Sequence, residues 1–174
     1  MIRRLALLVL VAALAASGAP VAAHDHEPPR TRLTAGRTEQ RGMQWSYCWT
    51  KKGPEPGIYE QLCVDMVPDW PDAKRARAGR AARIRIFKRA APRDVALSYW
   101  RDVDDRNIPQ GEQRELSFSV EPATVDGRRV HDVIFRLPRR TRHAYIELFA
   151  TWPDEQGSDT IQDSFFRFHL RLRR

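Results

Sequence analysis

The stretch SYCWTKKGPEPGIYEQLCVD, residues 46–65, contains both cysteines of the chain and constrains its fold more than any other feature. Pairing Trp45 to Thr50 antiparallel with Ile58 to Asp65 sets Cys48 opposite Cys63. In that register Trp49 meets Leu62, Tyr47 meets Val64 and Trp45 meets Met66. These six residues share one face, because strand side chains alternate. Ser46 with Asp65 and Thr50 with Gln61 then flank the sulfurs on the other face. The register ends with Gly53 facing Ile58 across Pro54-Glu55-Pro56-Gly57, a composition suited to a turn. One pairing satisfies the apolar pattern, the turn and the sulfurs together.

Two cysteines at this spacing do not look like a redox pair, which is better served by Cys-x-x-Cys with a lowered thiol pKa. A zinc site needs further ligands at suitable spacing. The expected role is a structural disulfide, Cys48–Cys63, closing a loop of about 15 residues and stabilising by roughly 3 kcal/mol in the chain-entropy model.

An oxidised pair belongs in an oxidising compartment, and the first residues agree. Residues 1–23 read as a secretion signal: Arg3 and Arg4 are followed by the apolar run Leu5 to Ala16 and by small residues at Val21-Ala22-Ala23. That run is too short to cross a bilayer, and nothing later approaches the ~20 apolar residues of a transmembrane helix. No cysteine follows the signal, so a lipid anchor is not expected. The expected product is secreted or held in the cell envelope.

The remaining chain suits one domain with a real core. Residues 24–43 are polar and aperiodic and read as a flexible N-terminal arm, with room for a short edge strand; residues 44–174 form the domain. Asp69 to Gly79 reads as a loop with at most one helical turn. Arg83 to Lys88 alternates, and Val95 to Trp100 makes another strand. Glu115 to Val120 alternates with Leu116, Phe118 and Val120 on one side. An Asp126-Gly127 turn leads to Arg129 to Leu137, where Val133, Phe135 and Leu137 share a face. Tyr145 to Trp152 is apolar on both faces, as a central strand would be. Ser164 to Arg173 closes the chain after a turn at Asp154 to Asp159. Seven or eight short strands at this spacing predict an all-β, immunoglobulin-like antiparallel sandwich with one disulfide.

Ser46-Tyr47-Cys48-Trp49 followed by Cys63-Val64-Asp65 resembles a hairpin of small exported bacterial proteins of unknown function. In them a later Tyr- and Trp-bearing strand and a terminal Phe-x-Phe strand complete an immunoglobulin-like sandwich. Tyr145-Ile146, Trp152 and Phe166 with Phe168 occupy comparable places here. The resemblance covers part of the chain, implies a fold and carries no activity.

Thirty Lys and Arg against 22 Asp and Glu give a net charge of +8; without Arg3 and Arg4, 28 against 22 leave about +6. Lys74, Arg75, Arg77, Arg80, Arg83 and Arg85 fall within twelve residues. In the terminal strand Arg167, Arg171 and Arg173 alternate with an apolar face of Phe166, Phe168, Leu170 and Leu172. If these segments are neighbours, they form a cationic stripe for an anionic polymer. An Arg-rich solvated face is the plainer alternative. Nucleic acid is not expected, because no interleaved aromatic stacking motif accompanies the charge.

Cleavage after Ala23 would create His24-Asp25-His26. A free amine, two backbone amides and the third-residue imidazole make a four-nitrogen square suited to Cu(II) or Ni(II). A bolder reading follows from resemblance to copper-dependent polysaccharide monooxygenases and copper carriers, which hold copper through an N-terminal histidine. It would add His131, His143 or His169 as a partner. Asp102, Asp104, Asp105 and Asn107 resemble a calcium loop without its glycine and terminal glutamate, and read as a solvated turn. Of five tryptophans, Trp45 and Trp49 are expected in the core and Trp70 exposed. No nucleophile elbow or phosphate-cradling glycine run occurs. The expected function is therefore a non-enzymatic binding module for an anionic envelope polymer or an envelope protein, with copper handling as the alternative.

Overall fold

The computed structural model describes residues 28–52, 55, 58–66, 69–153 and 161–174, and every regular element among them is a strand. The signal, His24, His26 and the acidic turn after Pro153 lie outside the described residues, as does most of the loop of the cysteine hairpin.

Two sheets pack face to face. The first has the order β11 (Phe118–Val125), β12 (Arg128–Arg136), β6 (Ala81–Phe87), β1 (Arg30–Ala35), β2 (Thr38–Arg41). The second runs β10 (Arg114–Glu115), β7 (Val95–Trp100), β13 (His143–Pro153), β14 (Ile161–Arg173), β3 (Met43–Lys52), β4 (Tyr59–Asp65). A seventh strand, β5 (Lys74–Arg77), pairs parallel with the end of β14; all other pairings are antiparallel. A small hairpin of β8 (Asp102–Val103) and β9 (Pro109–Gln110) stands apart.

The expected all-β sandwich is present. Its core follows from period-two alternation: Leu33, Ile84, Ile86 and Val133 come from one sheet, and Ile146, Leu148, Phe166, Phe168 and Leu170 from the other. Val133, Phe135 and Leu137 are all buried on one side, as their spacing predicts. Asp126 and Gly127 both take positive φ, 49° and 73°, closing the β11–β12 hairpin in two residues. That turn suits the right-handed twist of its strands.

The cysteine hairpin has the expected register, with Ser46, Tyr47, Cys48, Trp49 and Thr50 opposite Asp65, Val64, Cys63, Leu62 and Gln61. The disulfide joins Cys48 to Cys63. Trp45 departs from expectation. The pairing of β3 with β14 shifts by one residue between Phe165 and Phe166, so that Ser46 faces Phe165 but Gln44 faces Phe166. The extra residue is Trp45, and such a bulge turns it to the outer face. There its ring lies 5.4 Å from Phe165. Trp49 stays inside, against Trp152.

Four further readings change. Most of the expected arm is a hairpin: β1 and β2 complete the first sheet, and β1 is an interior strand with Leu33 fully buried. Its inward residues, Thr31, Leu33 and Ala35, include one large side chain, so its periodicity is hard to see. The expected loop over Asp69 to Gly79 contains β5, with no helical turn. The alternation over Glu115 to Val120 is divided between strands of different sheets, β10 and β11, with the crossing at Leu116. The strand count exceeds eight because β2, β5, β8, β9 and β10 are too short to carry a pattern.

Candidate anion-binding corner

At one end of the sandwich, three segments distant in sequence are laced by backbone hydrogen bonds. The β5–β6 turn donates from Gly79 N to Leu137 O (3.1 Å) and receives Leu137 N at Arg80 O (2.9 Å). Ala78 N donates to Arg173 O (2.9 Å), and Leu172 N donates to Arg142 O (2.7 Å). Thr38 Oγ1 donates to Arg75 O (2.5 Å), tying β2 of the other sheet to the same place. Gly79, with φ +71°, makes the turn, and a Cβ there would lie 3.0 Å from the Arg139 side chain. A fixed frame of three chain segments results.

What this frame presents is arginine. The parallel register sets Arg75 beside Arg171 and Arg77 beside Arg173, facing outward because Ala76 and Leu172 face the core. Neighbouring strands stand about 4.8 Å apart, so like charges are held side by side. Beyond them, Arg77, Arg80, Arg139 and Arg174 line a notch of about 380 Å³ with Ala78 and Gly79. No Asp or Glu is among the described residues that line the notch, and none of these arginines makes a side-chain ion pair among the described residues. An adjacent hollow, lined by Arg139 and Arg140, also contains Glu112 and Glu115 and is mixed in charge.

The nine cations singled out in the sequence separate into three groups. Lys74, Arg75, Arg77, Arg80, Arg171 and Arg173 are exposed at this corner. Arg83 and Arg85 lie on the outer face of the other sheet, with Asp132. Arg85 donates from Nε (2.7 Å) and a terminal nitrogen (2.8 Å) to that carboxylate, and this bonding raises its pKa. Arg83 stands 3.6 Å from the same group. Arg167 is 7% exposed and does not contribute an accessible charge. The run Arg136, Arg139, Arg140, Arg142 was the overlooked signal; it leads from the end of β12 through the connection to β13, where no alternation draws attention to it.

Arg167 belongs to an aromatic layer on the outer face of the second sheet. Cross-strand pairing sets Glu147 opposite Arg167, Tyr145 opposite His169 and Phe149 opposite Phe165. Arg167 Nε donates to Glu147 Oε2 (3.3 Å), and its guanidinium lies 4.1 Å from the Trp45 ring centre and 4.6 Å from that of Trp70. Burial drives both charges toward their neutral forms, Glu147 upward and Arg167 downward, and each partly holds the other ionised. The Trp45 indole N–H lies near enough to favour the carboxylate without completing a hydrogen bond. Trp70, expected to be exposed, is buried here: its indole donates to Asn107 O (3.0 Å), and its ring stands edge-on to Tyr145.

His143 Nδ1 and His169 Nε2 share a 2.9 Å hydrogen bond, and Tyr145 stacks on His169 at 4.1 Å. Burial foremost, and then His143, lowers the His169 pKa. Burial foremost, and then Asp102, raises that of Tyr145. His131 lies on the inner face of the other sheet, 3.2 Å from Arg89 O. The three histidines therefore do not converge, and no group of three or more His, Cys, Asp or Glu among the described residues is arranged for a metal. Asp104, from the calcium-like run, accepts the backbone N–H of Arg106 and Ile108 and closes the β8–β9 turn.

Fold and site together define a disulfide-stapled β-sandwich with an arginine-lined corner. The disulfide fits an oxidising compartment, and no helix among the described residues is long and apolar enough to cross a membrane. No protein-family model matches the chain, and no curated protein matches it.

Proposed function

We propose that this is an exported binding module for an anionic polymer of the cell envelope, engaged through the corner formed by Arg75, Arg77, Arg80, Arg139, Arg171 and Arg173. The observation that carries this reading is the convergence of three laced segments on arginines with no Asp or Glu among the notch's described lining. A guanidinium presents donors in a planar fork suited to phosphate and carboxylate oxygens. Side-by-side pairs and an adjoining notch suit repeated anionic groups better than one small ion. The disulfide and the signal-like leader support the compartment in which such a polymer is met.

The test is binding of poly(glycerol phosphate) to the wild type, to a corner variant (R77A, R139A, R171A, R173A) and to a control (R32A, R83A) altered on the other sheet. Four lost contacts at about 0.5 kcal/mol each weaken binding roughly 30-fold. The control retains near-wild-type affinity. Equal affinity in all three proteins would reject the corner as the binding surface.

A further inference from the structure

A second site lies at the opposite end of the β1–β2 hairpin from the Thr38–Arg75 contact. The first sheet stops at the four-residue edge strand β2, and the second stops at β4. Leu62, whose hairpin pattern marks it as a core residue, is 54% exposed and borders an open space beside β1 and β2. The space is a groove of about 990 Å³, walled by Tyr47, Trp49 and Leu62 on one side and by Pro29 and Thr31 on the other. Phe166 and Gly42 also line it. Gly42 is required: a Cβ would collide with Thr31 Oγ1 and lie 2.9 Å from the Phe168 ring.

Two features give the groove the chemistry of a ligand site. Its volume and its mainly aromatic and aliphatic walls match those of small-molecule sites. Its charged residues, among the described lining, are Arg30 and Arg41, with no acid.

We infer that the groove binds a free long-chain carboxylate, its alkyl chain along Tyr47, Trp49 and Leu62 and its head toward the arginines. This site is separate from the arginine corner and does not depend on the polymer reading. The experiment is calorimetric titration of the full disulfide-bonded protein with monomeric dodecanoate, below its micelle concentration, and with dodecanol. One saturable site is expected for dodecanoate, with dodecanol at least about tenfold weaker because it lacks the charge the arginines complement. Leu62→Glu, at a half-exposed position, preserves the melting transition and weakens dodecanoate at least about tenfold by setting like charges together. Arg30→Glu with Arg41→Glu does the same, and the corner variant leaves this binding unchanged. Absence of saturable binding, equal binding of dodecanol, or wild-type binding by Leu62→Glu would overturn the inference. So would binding to anionic lipid vesicles without binding to monomeric dodecanoate. A dimer that Leu62→Glu dissociates, in protein that takes up no dodecanoate, would instead identify a second copy as the occupant.

Discussion

Replacing Arg167 with methionine tests how the outer aromatic layer holds its buried charges. The guanidinium and the Glu147 carboxylate are 3.3 Å apart, with side chains only 8% and 12% exposed. Methionine keeps much of the arginine stem's volume, so the packing change is small. What is lost is the pair and the two ring contacts, and what is left is a buried carboxylate. Breaking such a pair costs about 3–5 kcal/mol, and about 3 kcal/mol is expected at pH 8. The carboxyl has an escape that the arginine lacks. Its pKa is already raised by burial, and Arg167→Met removes two of the influences that hold it down. A carboxyl whose pKa is higher folded than unfolded binds protons preferentially when folded, so stability increases as pH falls through that window. Each further unit of pKa recovers about 1.4 kcal/mol, and roughly half the loss should return at pH 5. Glu147→Gln instead strands a guanidinium that does not titrate and removes the carboxyl whose raised pKa adds stability as pH falls, so its penalty does not shrink at pH 5. Urea unfolding followed by tryptophan fluorescence between pH 5 and 8, with wild type subtracted, gives both profiles. A loss in Arg167→Met that is equal at pH 5 and pH 8 would refute the reasoning.

Other outcomes follow from the same structure. Reducing the Cys48–Cys63 bridge, or replacing both cysteines with serine, should lower stability by roughly 3 kcal/mol, read from the urea midpoint. Gly42→Ala forces Thr31 and Phe168 apart and should cost about 1–3 kcal/mol as an overpacked site, read as a fall in melting temperature. His169 has a folded pKa below its unfolded value, so it contributes stability that is complete above the unfolded value and is lost as pH falls below about 6.5. His169→Gln should flatten that part of the stability profile, and an unchanged slope would show that His169 does not titrate there.

The sequence made the sandwich legible where alternation and turn chemistry coincided. Cys48 and Cys63 fixed a register, Asp126-Gly127 marked a hairpin, and Tyr145 to Trp152 showed apolar residues on both faces. In the structure Tyr145 and Phe149 need cover on the side away from Ile146 and Leu148, which the central-strand reading did not foresee. The cover came from Trp70 and from Trp45, and neither was visible locally. Trp45 changes face through a bulge set by its pairing with Phe165 and Phe166, a tertiary event. β1 was missed because Thr31 and Ala35 do not read as core. The corner was half legible: Arg75, Arg77, Arg171 and Arg173 stood out in runs, but their adjacency depends on a parallel strand pairing that spacing does not encode. Arg167 shared their alternation and yet is buried, because its end of that outer face, unlike theirs, is roofed by Trp45 and Trp70.

The most direct test of the proposed function is the salt dependence of poly(glycerol phosphate) binding by the wild type and by the corner variant. If the arginines displace counterions from the polymer, log K falls linearly with log salt, by about one unit of slope for each phosphate engaged. The wild type should show a steep line, and removing Arg77, Arg139, Arg171 and Arg173 should reduce its slope by several units. Binding that is insensitive to salt, or two parallel lines, would contradict the assignment of the corner as the polymer-binding surface.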